Sequence, residues 1–246
     1  MHGFLAVFSR ELRAYFVSPL AWVILTFFLL VQGYVFSLIV GFLTDPRAVA
    51  GPTPFEIFFG GIFLWLTLVF VTPVITMRLI SEERRSGTIE ALMTAPVTAV
   101  QVVLAKFFAA FVFYAFLWLP TLAYPALLSR DTSVDWGPIL AGYLGVLGIG
   151  GMFLSVGIFG SSFSKNQIVS AVVTFGCLML LLFLPWAGSL TQDPQTGELL
   201  GYMNLLDHMD ELGQGIVDSR RLVYYLTTAA LFLFLSSRAL EAKKWR

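Results

Sequence analysis

The residues with the greatest potential for chemistry lie in one polar segment, residues 78–106, between two long apolar runs. This segment holds seven of the chain's thirty charged residues, including the adjacent carboxylates Glu82 and Glu83. Paired carboxylates can act as a general acid and base, or they can form ion pairs with basic groups on another helix or subunit. The segment is therefore either a solvated loop beside membrane-flanking arginines or a docking element for a soluble partner. Its functional candidates are Glu82, Glu83, Arg84, Arg85, Gly87, Thr88, Ile89, Glu90, Leu92 and Pro96.

The order of these residues predicts a charge cluster, a hinge and a short helix. Gly87 can serve as the hinge, and Pro96 stops the helix-prone residues that follow it. Thr98 and Gln101 then form a plausible capping box at the start of the next apolar helix.

Composition indicates an integral membrane protein. Hydrophobic residues make up 58% of the 246 residues and charged residues 12%, with a mean hydropathy of +0.84. Soluble domains carry about 25% charged residues. The formal net charge of zero argues against a nucleic-acid partner, because phosphate neutralisation needs clustered excess Lys and Arg.

The sequence lacks the motifs of independent catalysis. No G-x-x-x-x-G-K-[ST] loop is present, so ATP and Mg²⁺ are expected to bind a partner chain, and no cofactor is expected here. His2 and His208 fall on opposite sides of the topology predicted below, which excludes a metal site that both would share.

The Glu82-Glu83 pair also resembles the paired glutamates of intramembrane glutamate proteases. That family has an arginine four residues after its second glutamate and histidines within its spans. Here Gly87 occupies the arginine position, and no histidine lies in a predicted span. Proteolysis is the weakest alternative, and we expect no enzymatic activity in this chain.

Six uncharged apolar runs define the elements that position the polar segment. A hydrocarbon core about 30 Å thick requires about 20 helical residues. We predict an all-α polytopic membrane protein, one domain over residues 1–246, with spans at residues 20–43, 57–80, 102–128, 137–162, 167–190 and 221–239. Pro73 predicts a kink near the inner end of the second span. No ionisable residue lies deep within a span, which disfavours an ion-coupled carrier.

The first residues predict an amphipathic helix, residues 1–19, lying in the plane of the membrane. At about 100° per residue, one face collects apolar side chains and the other basic ones. Ser18-Pro19 marks the bend into the first span. The side chains of interest are Phe4, Phe8, Arg10, Leu12, Arg13 and Phe16.

Residues 191–221, between the fifth and sixth predicted spans, are too many for a simple connection. Leu205, Met209 and Leu212 recur at helical spacing and predict a short amphipathic helix at the outer membrane face. Gly213 and Gly215 would end this helix. We assign to this outer gate segment the residues Leu205, His208, Met209, Leu212, Asp218 and Arg220.

Orientation follows from Lys and Arg, which are enriched in cytoplasmic loops. With both termini inside, eleven of these residues fall on the inner side and four on the outer side. The four outer residues are Arg47, Arg130, Arg220 and Arg221. Both termini and residues 78–106 are therefore predicted to be cytoplasmic.

The run Glu82-Glu83-Arg84-x-x-Gly87-Thr88-Ile89-Glu90-x-Leu92-x-x-x-Pro96, followed by Lys106, resembles a segment of type-2 ABC exporter permeases. In that family it lies between the second and third spans and carries the coupling helix, which sits in a groove of the cytoplasmic ATPase. The resemblance covers nearly the whole chain. Residues 208–226 look most like the gliding-motility-associated, GldF-like branch. Permeases that serve copper-site maturation of nitrous oxide reductase are closely similar.

The resemblance implies a multi-pass protein of the bacterial plasma membrane, in a permease dimer that clasps two ABC-type ATPase subunits. The second permease is another copy or a related chain, and an accessory membrane subunit is possible. Residues 87–93 would be the coupling helix, and Glu82 and Glu83 would tie the second span to the N-terminal helix or the ATPase. Their candidate basic partners are Arg10, Arg13, Arg84 and Arg85. A scaffold that binds an ATPase without moving a substrate is the alternative.

Overall fold

A computed structural model describes residues 2–44, 52–88, 97–130, 132–190 and 193–242. All regular structure in these residues is helical, as the sequence predicts. A 3₁₀ turn at Leu119–Leu122 separates α6 from α7. The helices are α1 (His2–Val17), α2 (Pro19–Leu43), α3 (Pro54–Gly60), α4 (Ile62–Thr76), α5 (Ser81–Arg85), α6 (Ala99–Trp118), α7 (Ala123–Leu128), α8 (Trp136–Ser161), α9 (Gln167–Phe183), α10 (Trp186–Leu190), α11 (Pro194–Tyr202), α12 (Leu205–Gly213) and α13 (Ser219–Glu241).

Within the described residues, five helical segments are long and apolar enough to cross a membrane. They are Pro19–Leu43, Ile62–Arg85, Ala99–Leu128, Trp136–Ser161 and Ser219–Glu241. The apolar helix α9 has 17 residues, a length of about 25 Å, which is shorter than the hydrocarbon core. The chain is thus a multi-pass membrane protein, and the count of six spans stays a prediction.

The predicted span at residues 57–80 is not one continuous helix. α3 ends at Gly60 and α4 begins at Ile62, with Gly61 extended between them. A Cβ atom at Gly61 would lie 2.6 Å from the carbonyl oxygen of Ile57, so glycine permits this close turn. At the other end, α4 continues through Pro73 and ends at Thr76.

The predicted span at residues 102–128 is also divided. Its α-helical part, α6, ends at Trp118, and Pro120 lies in the 3₁₀ turn that follows. Proline has no backbone N–H to continue the α-helical hydrogen bonds, which accounts for the change. α7 then carries the chain to Leu128.

Helix α8 lies at the centre of the bundle and contacts α3, α4, α6, α9, α12 and α13. Its glycines allow the neighbouring helices to approach closely. A Cβ atom at Gly150 would overlap the buried Tyr114 ring of α6, and one at Gly157 would overlap Thr76 of α4. The small residues of this span therefore mark its packing faces.

Helix α1 packs along α6 through aromatic side chains. The Phe4 and Phe108 rings have centroids 6.3 Å apart, and the Tyr15 and Phe113 rings stack at 4.9 Å. Phe4, Phe8, Leu12 and Phe16 are partly buried, whereas Arg10 and Arg13 are exposed. Residues 2–17 are thus helical with two unlike faces, and their position in the plane of the membrane stays a prediction. The packing of α1 brings residues 10 and 11 to the start of α6.

Candidate functional site

Glu83 lies at the centre of a four-residue ion cluster that joins three helices. Its Oε1 atom is 3.0 Å from Lys106 Nζ on α6 and 2.6 Å from Arg10 Nη2 on α1. The same two cations contact Glu11 Oε1 on α1, at 3.0 Å and 2.7 Å. This ion cluster, defined by Arg10, Glu11, Glu83 and Lys106, therefore pairs two cations with two carboxylates.

Lys106 is the buried member of the ion cluster. Its side chain is 1% exposed, whereas Glu11 and Glu83 retain 14% and 13%, and Arg10 retains 55%. An ammonium group removed from water is tolerated only where its partners offset the lost hydration. Removing one partner of a buried ion pair typically costs about 3–5 kcal/mol. The ion cluster is consequently a firm link between α1, α5 and α6.

The start of α6 places Lys106 in this position. Thr98 Oγ1 accepts a hydrogen bond from the Gln101 backbone N–H, and Gln101 Oε1 accepts one from the Thr98 N–H, both at 3.2 Å. The predicted capping box is therefore confirmed. It fixes the helical phase, and Lys106 lies about two turns inside the helix, on the face that α1 covers.

The two adjacent glutamates contact different helices. Glu83 contacts α1 and α6, whereas Glu82 Oε2 accepts a hydrogen bond from Gln167 Nε2 at the start of α9. Neighbouring residues on a helix do not face each other, which explains the divergence. Glu82 and Glu83 are therefore two separate anchors of α5.

The chain between α4 and α5 is also fixed to the end of α8. Ser161 Oγ accepts hydrogen bonds from the backbone N–H groups of Ile80 and Ser81, both at 3.1 Å. Arg84 Nη1 donates to the Ser162 carbonyl oxygen. These contacts satisfy backbone groups where α4 has ended, and they hold α5 against the α8–α9 connection.

A left-handed glycine follows α5. Gly87 has φ +73°, and Ser86 and Thr88 hydroxyls lie 2.8 Å apart on either side of it. This conformation suits glycine because it has no Cβ atom, and it ends the helix. The predicted coupling residues Ile89, Glu90, Leu92 and Pro96 lie outside the described residues.

The sequence predicts only part of the ion cluster. Of the four candidate arginines, Arg10 contacts Glu83, and Arg84 binds a carbonyl group instead. No ion pair of Arg13 or Arg85 is found among the described residues. Lys106 is absent from the predicted partners because it lies at the edge of a predicted span, where a basic residue is common. Helical periodicity could have identified it, since it is in register with the buried residues Ala99, Val102, Ala110, Phe113 and Leu117.

The predicted outer gate segment forms a second polar assembly around His208. Its Nδ1 atom is 3.1 Å from Tyr225 Oη on α13, and its Nε2 atom is 2.9 Å from the Tyr202 carbonyl oxygen. Burial, together with the positive charge of Arg221, lowers the pKa of His208. Arg221 in turn contacts Glu211 at 2.5 Å. These bonds fix α12 against the start of α13.

The other residues assigned to the outer segment have structural positions. Leu205, Met209 and Leu212 are buried beneath α12, as its helical periodicity predicts. Asp218 caps α13 by accepting a hydrogen bond from the Arg220 backbone N–H at 2.8 Å. The helix ends at Gly213, and Gly215 follows with φ +87°.

The fold and the polar contacts define a multi-pass helical membrane protein with an ion-paired element at one end of its bundle. A family model described as ABC-2 family transporter protein matches residues 18–180, about two thirds of the chain. The chain therefore belongs to the ABC-2 transporter family. Membership indicates the permease component of an ABC transporter, which associates with the membrane and an ABC ATPase. The match includes Glu83 and Lys106 but begins after Arg10 and Glu11. The comparison with curated proteins gave no match.

Proposed function

We propose that this chain is the permease subunit of an ATP-driven exporter or membrane machine in a bacterial plasma membrane. A separate ABC-type ATPase binds ATP and Mg²⁺, and residues 87–93 form the coupling helix that it engages. The ion cluster carries this proposal, because it joins α5, directly before that helix, to α1 and α6. A displacement of α5 would be transmitted to both helices.

The proposed topology has six spans with both termini in the cytoplasm. α9 begins beside the end of α8, where Gln167 contacts Glu82. The chain after α9 returns to the opposite end of α8, where Leu212 and Met209 pack on Gly145. α9 with its following residues therefore covers most of the length of α8, which supports its assignment as the fifth span. In this topology α1 lies at the cytoplasmic membrane surface and α12 at the outer surface.

The proposed assembly is a permease dimer with two ATPase subunits. The resemblance of residues 208–226 to the GldF-like branch supports a machine that serves gliding motility and a homodimer of this chain. The divergent partners of Glu82 and Glu83 favour a coupling role over an intramembrane protease, whose two acids act at one site.

Co-purification of the full chain from its native membrane tests the proposal first. An ABC-type ATPase should be recovered with the permease, and its absence would refute the assignment. The complex would then be placed in nanodiscs. A spin label would be attached to the cysteine of the Ser9→Cys variant on α1, in a Cys177→Ser background. ATP with vanadate should change the distance between the two labels of the dimer.

The variant Glu83→Gln tests the role of the ion cluster in this change. It should keep the ATPase bound but reduce the ATP-dependent change in label distance. Glu198→Gln is the matched control, because Glu198 is exposed on α11 and far along the chain from the ion cluster. A bound ATPase with no ATP-dependent change in the unmodified complex would instead identify a scaffold.

A further inference from the structure

A half-open cavity of about 220 Å³ lies between α1, the start of α2 and the end of α4. One part of its wall is polar and the other is apolar. The polar part consists of Glu11, Ser18, Arg78, Glu82, Glu83 and Lys106. The apolar part consists of Ala14, Leu20, Ala21, Ile24, Val74, Ile75 and Leu79, with the Tyr15 ring at its edge.

The carboxylates of the cavity already have partners. Glu11 and Glu83 contact Arg10 and Lys106, and Glu82 contacts Gln167. Glu11 and Glu83 are thus paired with cations before any ligand binds, whereas Glu82 has the neutral Gln167 as its partner.

The cations of the cavity retain unused donors. No hydrogen bond or ion pair of the Arg78 guanidinium is found within the described parts of the chain, and its side chain is exposed at the cavity. Lys106 contacts two carboxylate oxygens, while an ammonium group has three N–H donors. The Tyr15 hydroxyl is already used, because it donates to the Ile75 carbonyl oxygen at 2.9 Å. Among the described residues that line the cavity, the Arg78 guanidinium is therefore the cation that has no partner.

The apolar part of the wall extends from this donor along the membrane span. α2 begins at Pro19, so Leu20 and Ile24 lie on its first two turns, and Val74 belongs to the last turns of α4. Arg78 lies one turn beyond Val74, at the end of the apolar segment. An occupant with a phosphate group at Arg78 and a hydrocarbon chain beside Leu20 and Ile24 would pair the free guanidinium and cover the apolar part of the wall.

We propose that this cavity binds the headgroup of an anionic phospholipid, with Arg78 as the phosphate contact and one acyl chain against α2. Such a lipid would contact α1, α2 and α4 together and fill the angle at Ser18-Pro19. The site requires the ends of α2 and α4 to meet the membrane surface, but it does not require an ATPase. Its failure is therefore distinguishable from failure of the proposed coupling function.

Native mass spectrometry of the purified full chain in detergent tests this site. Titration with phosphatidylglycerol should show saturable binding of one lipid per chain, and phosphatidylcholine should bind more weakly. Arg78→Ala should weaken phosphatidylglycerol binding by about tenfold, the effect of losing one charge-assisted hydrogen bond. Lys165→Ala is the control, because Lys165 is exposed on the same predicted side but does not line the cavity. It should leave binding unchanged.

A second variant tests the cavity without changing its charge. Ala14 lines the cavity at an exposed position of α1, so Ala14→Phe should fill the space and reduce lipid binding without disturbing the packed core. Circular dichroism would verify that the helices are retained. The proposal is overturned if both variants bind lipid as the unmodified chain does, or if phosphatidylcholine binds equally well. Competition by millimolar inorganic phosphate at the same site would also overturn it, since the ligand would then be a free anion.

Discussion

Replacing Lys106 with methionine tests the ion cluster directly, because it removes the buried charge while keeping a side chain of similar length. Lys106 is 1% exposed and contacts both Glu11 and Glu83. In the variant these two carboxylates share only Arg10, which is 55% exposed. We expect α1 to pack less firmly on α6 and the free energy of unfolding to fall.

The geometry of the ion cluster gives the magnitude. Glu11 and Glu83 contact the same Arg10 nitrogen at 2.7 Å and 2.6 Å, so their Oε1 atoms are at most about 5.3 Å apart. At an effective dielectric constant of about 20, two like charges at this distance repel by about 3 kcal/mol. Lys106 offsets this repulsion in the intact chain. The expected loss of about 3 kcal/mol agrees with the lower end of the range for breaking a buried ion pair.

Thermal unfolding in detergent, followed by the fluorescence of the six tryptophans, measures this loss. A change of about 3 kcal/mol in a chain of this length shifts Tm by about 6–12 °C. Lys165→Met is the control, and its Tm should stay near that of the unmodified chain because Lys165 is exposed.

A double variant separates electrostatic repulsion from lost packing. Adding Glu11→Gln to Lys106→Met leaves one carboxylate with Arg10, so the double variant should recover at least half of the lost Tm. The proposed role of Lys106 is refuted if Lys106→Met changes Tm no more than Lys165→Met does. It is also refuted if the Tm change of the double variant equals the sum of the changes in Lys106→Met and Glu11→Gln alone.

Three further predictions concern other parts of the chain. Gly150→Ala should lower the free energy of unfolding by about 1–3 kcal/mol, because its Cβ atom would overlap a buried tyrosine ring. Gly176→Ala is the control in the same unfolding assay, and it should be neutral or slightly stabilising because nothing lies within 4 Å of its Cβ position. The pKa of His208 is lowered from 6.5, mainly by burial, so the unfolded state binds more protons. Stability should thus fall as pH drops below about 6.5, and His208→Gln should lessen this dependence in unfolding curves recorded from pH 8 to 5. Gly87→Ala should lower the free energy of unfolding by about 1–2 kcal/mol, because φ is +73° at this position. Gly201→Ala, which has open space and no positive φ, should lower Tm by less in parallel measurements.

The sequence predicts the helices well where one-dimensional signals determine them. Uncharged runs locate α2, α8 and α13 to within two residues, because the hydrocarbon core sets both the length and the composition of a span. The periodicity of residues 205–212 likewise predicts α12. The break at Gly61 coincides with the Gly60-Gly61 pair, a turn signal, but apolar residues continue on both sides of it, so the hydropathy pattern alone merges α3 and α4 into one span.

Partner choice in the candidate site depends on tertiary packing and is predicted only in part. Arg10 is among the expected partners of Glu83, but Lys106 is 23 positions away along the chain and becomes a partner only when α1 covers that face of α6. Gln167 is farther still from Glu82, and the glutamine has no charge to mark it in a sequence. The hydrogen bonds of Ser161 with the backbone of Ile80 and Ser81 leave no recognisable pattern in the sequence.

The divergence of Glu82 and Glu83 determines how α5 can move. A helix held from one side could rotate away from its neighbour while the remainder of the bundle stayed in place. α5 is held on one side by Glu83 through the ion cluster and on the other by Glu82 through α9. A displacement of α5 that keeps both contacts must move α1, α6 and the start of α9 with it. A displacement that breaks either contact leaves a polar group without its partner, which is unfavourable. Two adjacent carboxylates that resemble a catalytic pair therefore act as two separate anchors, which suits α5 to the proposed role of transmitting movement between residues 87–93 and the spans.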